Sequence, residues 1–316
     1  MPRSSGHAAV APAPDPLPVP VVDNHTHLDI RRTDLPDPLA TEPPGPQAPD
    51  ADRSGSQPVG SGQGDGDARS TEDVARALRQ AAAVGVDRVV QVGCDLESAR
   101  FTVAQLEHHP SMLGAVALHP NEAPLLAERG ALEAALTEIA EMLAHPRVRA
   151  VGETGLDYYR TGPDGRPAQH ESFRRHIDLA KRHGLALQIH DRDSHEDVLR
   201  ILAEEGAPET TVLHCFSGDL AMARECVERG YLLSFAGTVT FKSASGLRDA
   251  LAVTPLEQIL VETDAPYLTP APHRGSANAP YLVPLTVRVM AGVLGVDVPT
   301  LCQAISDTSE RAYGPW

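Results

Sequence analysis

From Thr71 to the C-terminus, short β-branched or apolar runs alternate with longer stretches rich in Ala, Leu, Glu and Arg. That alternation is the pattern of βα units around a parallel sheet. Together with a run near the N-terminus, eight segments read as strands: 19–28, 88–93, 113–118, 148–153, 185–190, 210–216, 231–237 and 258–263. Helical stretches lie between and after them, at 72–84, 125–144, 169–183, 194–205, 281–294 and 299–311. Eight strands predict an α/β protein with a (β/α)8 TIM-type barrel, a single domain over 19–316. A doubly wound open sheet repeats the same unit and is the rival. No glycine-rich phosphate fingerprint follows any strand, so a dinucleotide or P-loop site has no support.

Before Thr71 the alternation fails. The first 70 residues hold 13 of the 28 prolines, and an ordered island, VVDNHTHLDIRR, runs from Val21 to Arg32. Residues 1–18 read as a disordered Pro-rich tail. Segment 33–70 has seven prolines, six glycines and seven acidic against two basic residues, and reads as a disordered acidic insertion interrupting the barrel. The whole chain carries 27 basic and 43 acidic residues, a net charge of −16. Any contact with nucleic acid must therefore be local, since long-range attraction is missing. The cysteines, Cys94, Cys215, Cys226 and Cys302, are widely spaced with no CxxC pair, which argues for reduced thiols rather than a disulfide framework or zinc ribbon. No run approaches the roughly 20 apolar residues of a membrane helix, and no basic and apolar leader opens the chain, so a cytoplasmic protein is expected.

Side chains alternate along a strand, so Asp23, His25 and His27 share a face, as do Gln188 and His190. Glu153 ends VRAVGE, His214 lies near the end of TTVLHCF, and Asp264 follows ILVET. His25, His27, Glu153, His190, His214 and Asp264 thus collect at the C-terminal rim, where barrel enzymes keep their chemistry. Imidazole and carboxylate ligands suit Zn, Mn, Fe or Ni as well as Mg. Two ions can be placed: one on His25, His27 and Asp264, the other on His190 and His214, with Glu153 bridging them, as two-metal hydrolases require at roughly 3.5–4 Å separation. Asp23 is placed to accept a hydrogen bond from a ligand imidazole, or to serve as a buried structural carboxylate.

At these residues the chain resembles the TatD-type deoxyribonucleases, metal-dependent hydrolases related to the amidohydrolase superfamily. The motifs are DNHTH at 23–27, VGETGLDYY at 151–159, IHDRD at 189–193, HCFSG at 214–218, ETDAPYLTP at 262–270 and HRGSANAP at 273–280. HCFSG and ETDAPYL in this order are the specific ones. The resemblance implies a TIM-type barrel, a divalent-metal site (Mg, Mn or Zn) on the six residues above, and 3′ to 5′ exonuclease or DNase activity in DNA repair or degradation. It also implies that Asp264 ligates metal and accepts a proton from the attacking water, and that Glu153 bridges the ions and helps to hold that water.

Around this site, Arg192, Lys242 and Arg274 fall just after strands, where a cation can take a phosphate oxygen or simply be a solvated loop charge. His119, Ser217 and Asn278 are further candidates for substrate contact, or for fixing loops and capping turns. The 38-residue insertion at 33–70 departs from the family pattern; it either shades the barrel mouth or is tolerated without a role. The expected partner is DNA as substrate, single-stranded or at 3′ ends, with no membrane and no obligate protein partner. Two other readings stand beside the nuclease. The same site can act on a small phosphodiester, an amide or an aminoacyl ester, or the protein can be a non-catalytic, metal-stabilised partner.

Overall fold

The computed structural model describes residues 11–30 and 70–316. Eight parallel strands follow one another around a single sheet in chain order: β1 (Val21–Thr26), β2 (Val86–Gly93), β3 (Met112–Val116), β4 (Val148–Asp157), β5 (Ala186–Arg192), β6 (Thr211–Leu213), β7 (Leu232–Phe235) and β8 (Ile259–Val261). Thr26 bridges to Ala265 beyond β8. Asp264 N–H donates to His25 O (2.9 Å) and His27 N–H to Ala265 O (2.8 Å), so the sheet closes on itself at the H-x-H segment. This is the (β/α)8 barrel expected, and the open sheet is excluded.

The helices are α1 (Thr71–Ala82), α2 (Leu96–Leu106), α3 (Glu122–Glu128), α4 (Leu132–Met142), α5 (Arg166–His183), α6 (His195–Glu205), α7 (Leu220–Glu228), α8 (Ser245–Val253), α9 (Val283–Leu294) and α10 (Val298–Tyr313). Their ends are written locally. Ser70 with Asp73, and Asp95 with Ser98, form capping boxes that satisfy the first free N–H groups of α1 and α2. Gly184 closes α5 in the left-handed region, φ 62°. The helix expected over 125–144 is instead two, α3 and α4. Gly130, at φ 65°, turns the chain between them at no steric cost.

Inside the barrel, Val90, Val92, Leu113, Ala115, Ala150, Ala186, Val212, Leu232 and Leu260 form a packed core, and Ala312 and Tyr313 from the end of α10 join it. The larger apolar cluster lies between sheet and helices. This two-layer packing holds the strand ends fixed. Several strands are shorter than the apolar runs that predicted them, β6, β7 and β8 above all. The chain leaves regular pairing there: Cys215 and Asp264 both take positive φ, 42° and 54°. Residues without glycine's freedom seldom sit there, and when they do it is commonly at a functional site.

Residues 11–18, expected as part of a disordered tail, are held against the barrel without forming a helix or strand. Ala11 and Leu17 are buried, Leu17 N–H donates to Val84 O, and Arg288 donates to the carbonyls of Asp15 and Pro16. Residues 1–10 of that tail, and the insertion expected at 33–70 apart from Ser70, lie outside the described residues. Among the described residues no single helix is long and apolar enough to cross a membrane.

Candidate metal centre

The strand ends bring together all six residues that the sequence singled out for metal. Glu153 is at the middle. Its Oε1 lies 2.6 Å from His190 Nδ1, 3.1 Å from His214 Nε2 and 3.6 Å from His119 Nε2. Its Oε2 lies 3.6 Å from His25 Nε2 and 3.9 Å from His27 Nε2. Each carboxylate oxygen therefore faces a different set of imidazoles. On the second set, His27 Nε2 is 3.4 Å from Asp264 Oδ1, and His25, His27 and Asp264 have ligand atoms within 4.8 Å of one another.

His25 and His27 are aimed by hydrogen bonds at the nitrogen turned away from Glu153, and His190 and His214 face a carboxylate there. Gln188 Oε1 accepts from His25 Nδ1 at 3.0 Å. The amide cannot be reversed, because Gln188 Nε2 donates to Asn24 O (2.9 Å) and to the Tyr313 hydroxyl (2.8 Å). Val92 O accepts from His27 Nδ1 at 3.1 Å. Glu262 Oε1 lies 2.9 Å from His214 Nδ1, and Asp157 Oδ2 3.5 Å from His190 Nε2. Outer carboxylates, carbonyls and amides of this kind fix tautomer and ring orientation at metal sites. His25 Nε2 is fully buried and has no hydrogen-bond partner. A buried imidazole nitrogen left open beside a carboxylate fits a divalent cation, and so does the rest of this donor set.

Charges follow the same geometry. Burial works to neutralise His27, but its hydrogen bond to Asp264 and the charges of Asp264 and Glu153 prevail and push its pKa up to about 10. Burial is likewise overcome at His190 by Glu153 and Asp157, which raise it to about 9. At Glu153, burial acts upward, but the imidazoles of His214, His119 and His190 hold the carboxyl well below its usual range. His119 is driven down to about 3 by burial. Burial is overcome in the same way at His214, which Glu262 and Glu153 raise well above the usual imidazole value, so at neutral pH the metal-free site holds protons on His27, His190 and His214 where cations would sit. Loading it with Zn or Mn at pH 7 should release about two to three protons per protein, and affinity should weaken as pH falls. Calorimetric titration in buffers of different ionisation enthalpy measures this, and zero proton release would refute it.

A cavity of about 690 Å³ opens onto the centre, and Glu153, His190, His214 and Asp264 are in its wall. Of the residues proposed for substrate contact, His119, Arg192 and Ser217 line it. Lys242 is exposed away from it, and the Arg274 guanidinium lies 4.2 Å from the Phe241 ring centroid. Asn278 is buried, and its amide donates to Thr263 O (2.8 Å) and Tyr267 O (2.6 Å), bracing the turn that carries Asp264. Asp23 takes the structural alternative. It accepts from His25 N–H (3.3 Å), Thr263 N–H (2.9 Å) and Thr263 Oγ1 (2.6 Å), not from an imidazole, and so ties β1 to the chain leaving β8.

Sequence reasoning missed Asp157, Glu262 and the full role of Gln188, although a count of two along each strand finds them. Asp157 is four residues beyond Glu153, Glu262 two before Asp264, and Gln188 two before His190. Cys94 carried no such signal. Its thiol donates to Glu153 Oε2 at 3.3 Å, and burial raises its pKa well above the ordinary thiol value. All four cysteines are free.

The sequence pattern of the family described as TatD related DNase matches residues 22–314. An uncharacterized metal-dependent hydrolase TatD of Mycobacterium tuberculosis is 49% identical over 251 residues, covering 78% of this chain and 93% of that protein. The uncharacterized metal-dependent hydrolase YabD of Bacillus subtilis is 35% identical, covering 76% and 92%. Among solved structures, YjjV, a TatD homologue from Escherichia coli K12, superposes with a TM-score of 0.75 at 25% identity, covering 94% of this chain and 98% of that one.

Proposed function

Because the chain belongs to the TatD-related family of metal-dependent hydrolases, we propose that it hydrolyses DNA phosphodiester bonds, removing nucleotides from 3′ ends. The observation that carries this reading is Glu153, whose two oxygens face two separate imidazole sets beside Asp264. His25, His27 and Asp264 would hold one divalent ion and His190 and His214 a second, with Glu153 between them. Ions held there supply an acidified water and offset charge developing on phosphoryl oxygens. Mg, Mn and Zn all fit the donors.

Asp264 suits the role of proton acceptor. It lines the cavity, and although burial acts upward, the His27 hydrogen bond and the surrounding imidazole charges keep its pKa below the usual carboxylate value. It is therefore ionised at neutral pH and able to take a proton from a water attacking phosphorus. Glu153 holds that water and its neighbours in register. Arg192, at the cavity wall, is placed for a phosphate oxygen. DNA is the partner in this reading, with degradation or repair as the setting, the cytoplasm as the place, and no membrane or obligate protein partner.

A second reading keeps the site and changes the substrate to a small phosphodiester, amide or aminoacyl ester. The net charge of −16 favours it. Metal-stripped protein resupplied with Mg, Mn or Zn decides between them, tested on a 3′-labelled single-stranded oligonucleotide beside small ester and amide substrates. Stepwise loss from the 3′ end with one of the ions is expected. Turnover of the small substrates alone would overturn the DNase reading.

A further inference from the structure

Of the cations at the rim of the cavity, Arg192 is stacked on an exposed ring. Tyr159 lies in the turn two residues past the end of β4 and is 53% exposed, one of two large apolar side chains so exposed among the described residues. The Arg192 guanidinium lies 3.9 Å from its ring centroid. Backbone pairing fixes the two together, since Asp157 is in register with Arg192 across β4 and β5, and Tyr158 N–H donates to Arg192 O at 2.9 Å. Strand ends, not a free loop, therefore set their spacing.

Neighbouring tyrosine Tyr158 is a useful contrast. Its hydroxyl is spent on His170 and Asp197, and Arg166 covers its ring. Among the described residues, Tyr159 has no such partner for its hydroxyl. The guanidiniums show a similar contrast. Arg100, Arg174 and Arg200 are each tied to carboxylates. Among the described residues no carboxylate pairs with Arg192 or Arg160, the two arginines that line the cavity. In a chain of net charge −16, two unneutralised guanidiniums beside the metal centre form a local seat for anionic groups. One of them also offers a flat π-stacked face.

A planar guanidinium on an aromatic ring, with phosphate-binding N–H groups at its edge, matches how proteins hold unpaired nucleotides: bases stack, and cations track the backbone. We propose that the Tyr159–Arg192 stack seats the nucleobase adjacent to the phosphodiester presented at the metal centre, making Tyr159 a specificity residue for oligonucleotides over small phosphodiesters. This rests on the DNase reading above for its substrate, but the stack is testable without cleavage. A base within a duplex is already stacked on both faces, so the seat serves a strand end that has come unpaired.

The test uses the full chain with Tyr159→Ala and Tyr159→Phe. Binding of a fluorescent single-stranded oligonucleotide to metal-free protein is followed by anisotropy, and cleavage by metal-loaded protein is followed on the same strand. Loss of one base stack predicts about a tenfold weaker Kd and a matching rise in KM for Tyr159→Ala, with kcat within about twofold, and recovery in Tyr159→Phe. Oligonucleotides with an abasic residue placed in turn at each of the last three positions identify the seated base. At one position wild type and Tyr159→Ala should bind equally. If Tyr159→Ala binds the intact strand as wild type does, the seat is overturned. The same holds if it loses as much affinity for all three abasic strands. Binding that depends on Tyr159 without cleavage by any ion would keep the seat and sink the DNase chemistry instead.

Discussion

Glu153→Gln should cost on the order of 10³-fold in kcat on whichever substrate the wild type turns over, equivalent to about 4 kcal/mol of transition-state stabilisation. The substitution keeps the side chain's volume and removes its charge. Five imidazoles, those of His25, His27, His119, His190 and His214, stand within 4 Å of the two Glu153 oxygens. A glutamine can offer its carbonyl to only one of the two sets. The other set then faces N–H groups, which cannot accept a proton or bind a cation. One position of the proposed pair should therefore be lost outright, and metal analysis should find one tightly held ion fewer per protein than in the wild type. Glu153→Asp, which keeps charge but shortens the reach, should recover part of the binding and little of the turnover. A Glu153→Gln protein with full metal content and wild-type kcat would remove Glu153 from the mechanism.

Much of this centre is legible in the sequence because strand geometry is simple. His25 with His27, and Gln188 with His190, follow from a period of two. The rim positions of Glu153, His214 and Asp264 follow from where apolar runs end. What the sequence leaves hidden is set by contacts between strands distant in the chain. Asp23 looks like a partner for an imidazole of its own strand, yet it is captured by Thr263, 240 residues away. Asn278 looks like a substrate contact and is a brace, because the turn carrying Asp264 needs donors for the Thr263 and Tyr267 carbonyls. Residues 11–18 read as a tail because proline lacks an N–H and breaks regular structure. An extended segment needs few donors, however, and the Leu17 N–H, the Tyr281 hydroxyl on Ala11 O and the Arg288 guanidinium tie it to the barrel.

The other large effect is expected at a residue with no side chain. Gly155 lies on β4 between Glu153 and Asp157, in register with His190 of β5, and has φ 137°. A Cβ there would fall 2.1 Å from the His190 carbonyl oxygen. No rotamer relieves that clash, because both groups belong to backbone, and the φ itself disfavours an L-residue. Gly155→Ala must push β4 and β5 apart at the point where Glu153 and Asp157 both address the His190 ring. The cost should exceed about 4 kcal/mol, and Tm should fall by roughly 10 °C or more. Gly292→Ala is the matched control. It lies within α9, and its Cβ would meet nothing within 4 Å, so it should leave metal binding unchanged and stability equal or higher by up to about 1 kcal/mol. If Gly155→Ala melts with the wild type and still holds its metal, the close approach of β4 to β5 is not what sets the spacing of Glu153 and His190. The orientation of the centre would then have to come from its outer ring of Gln188, Val92, Glu262 and Asp157 alone.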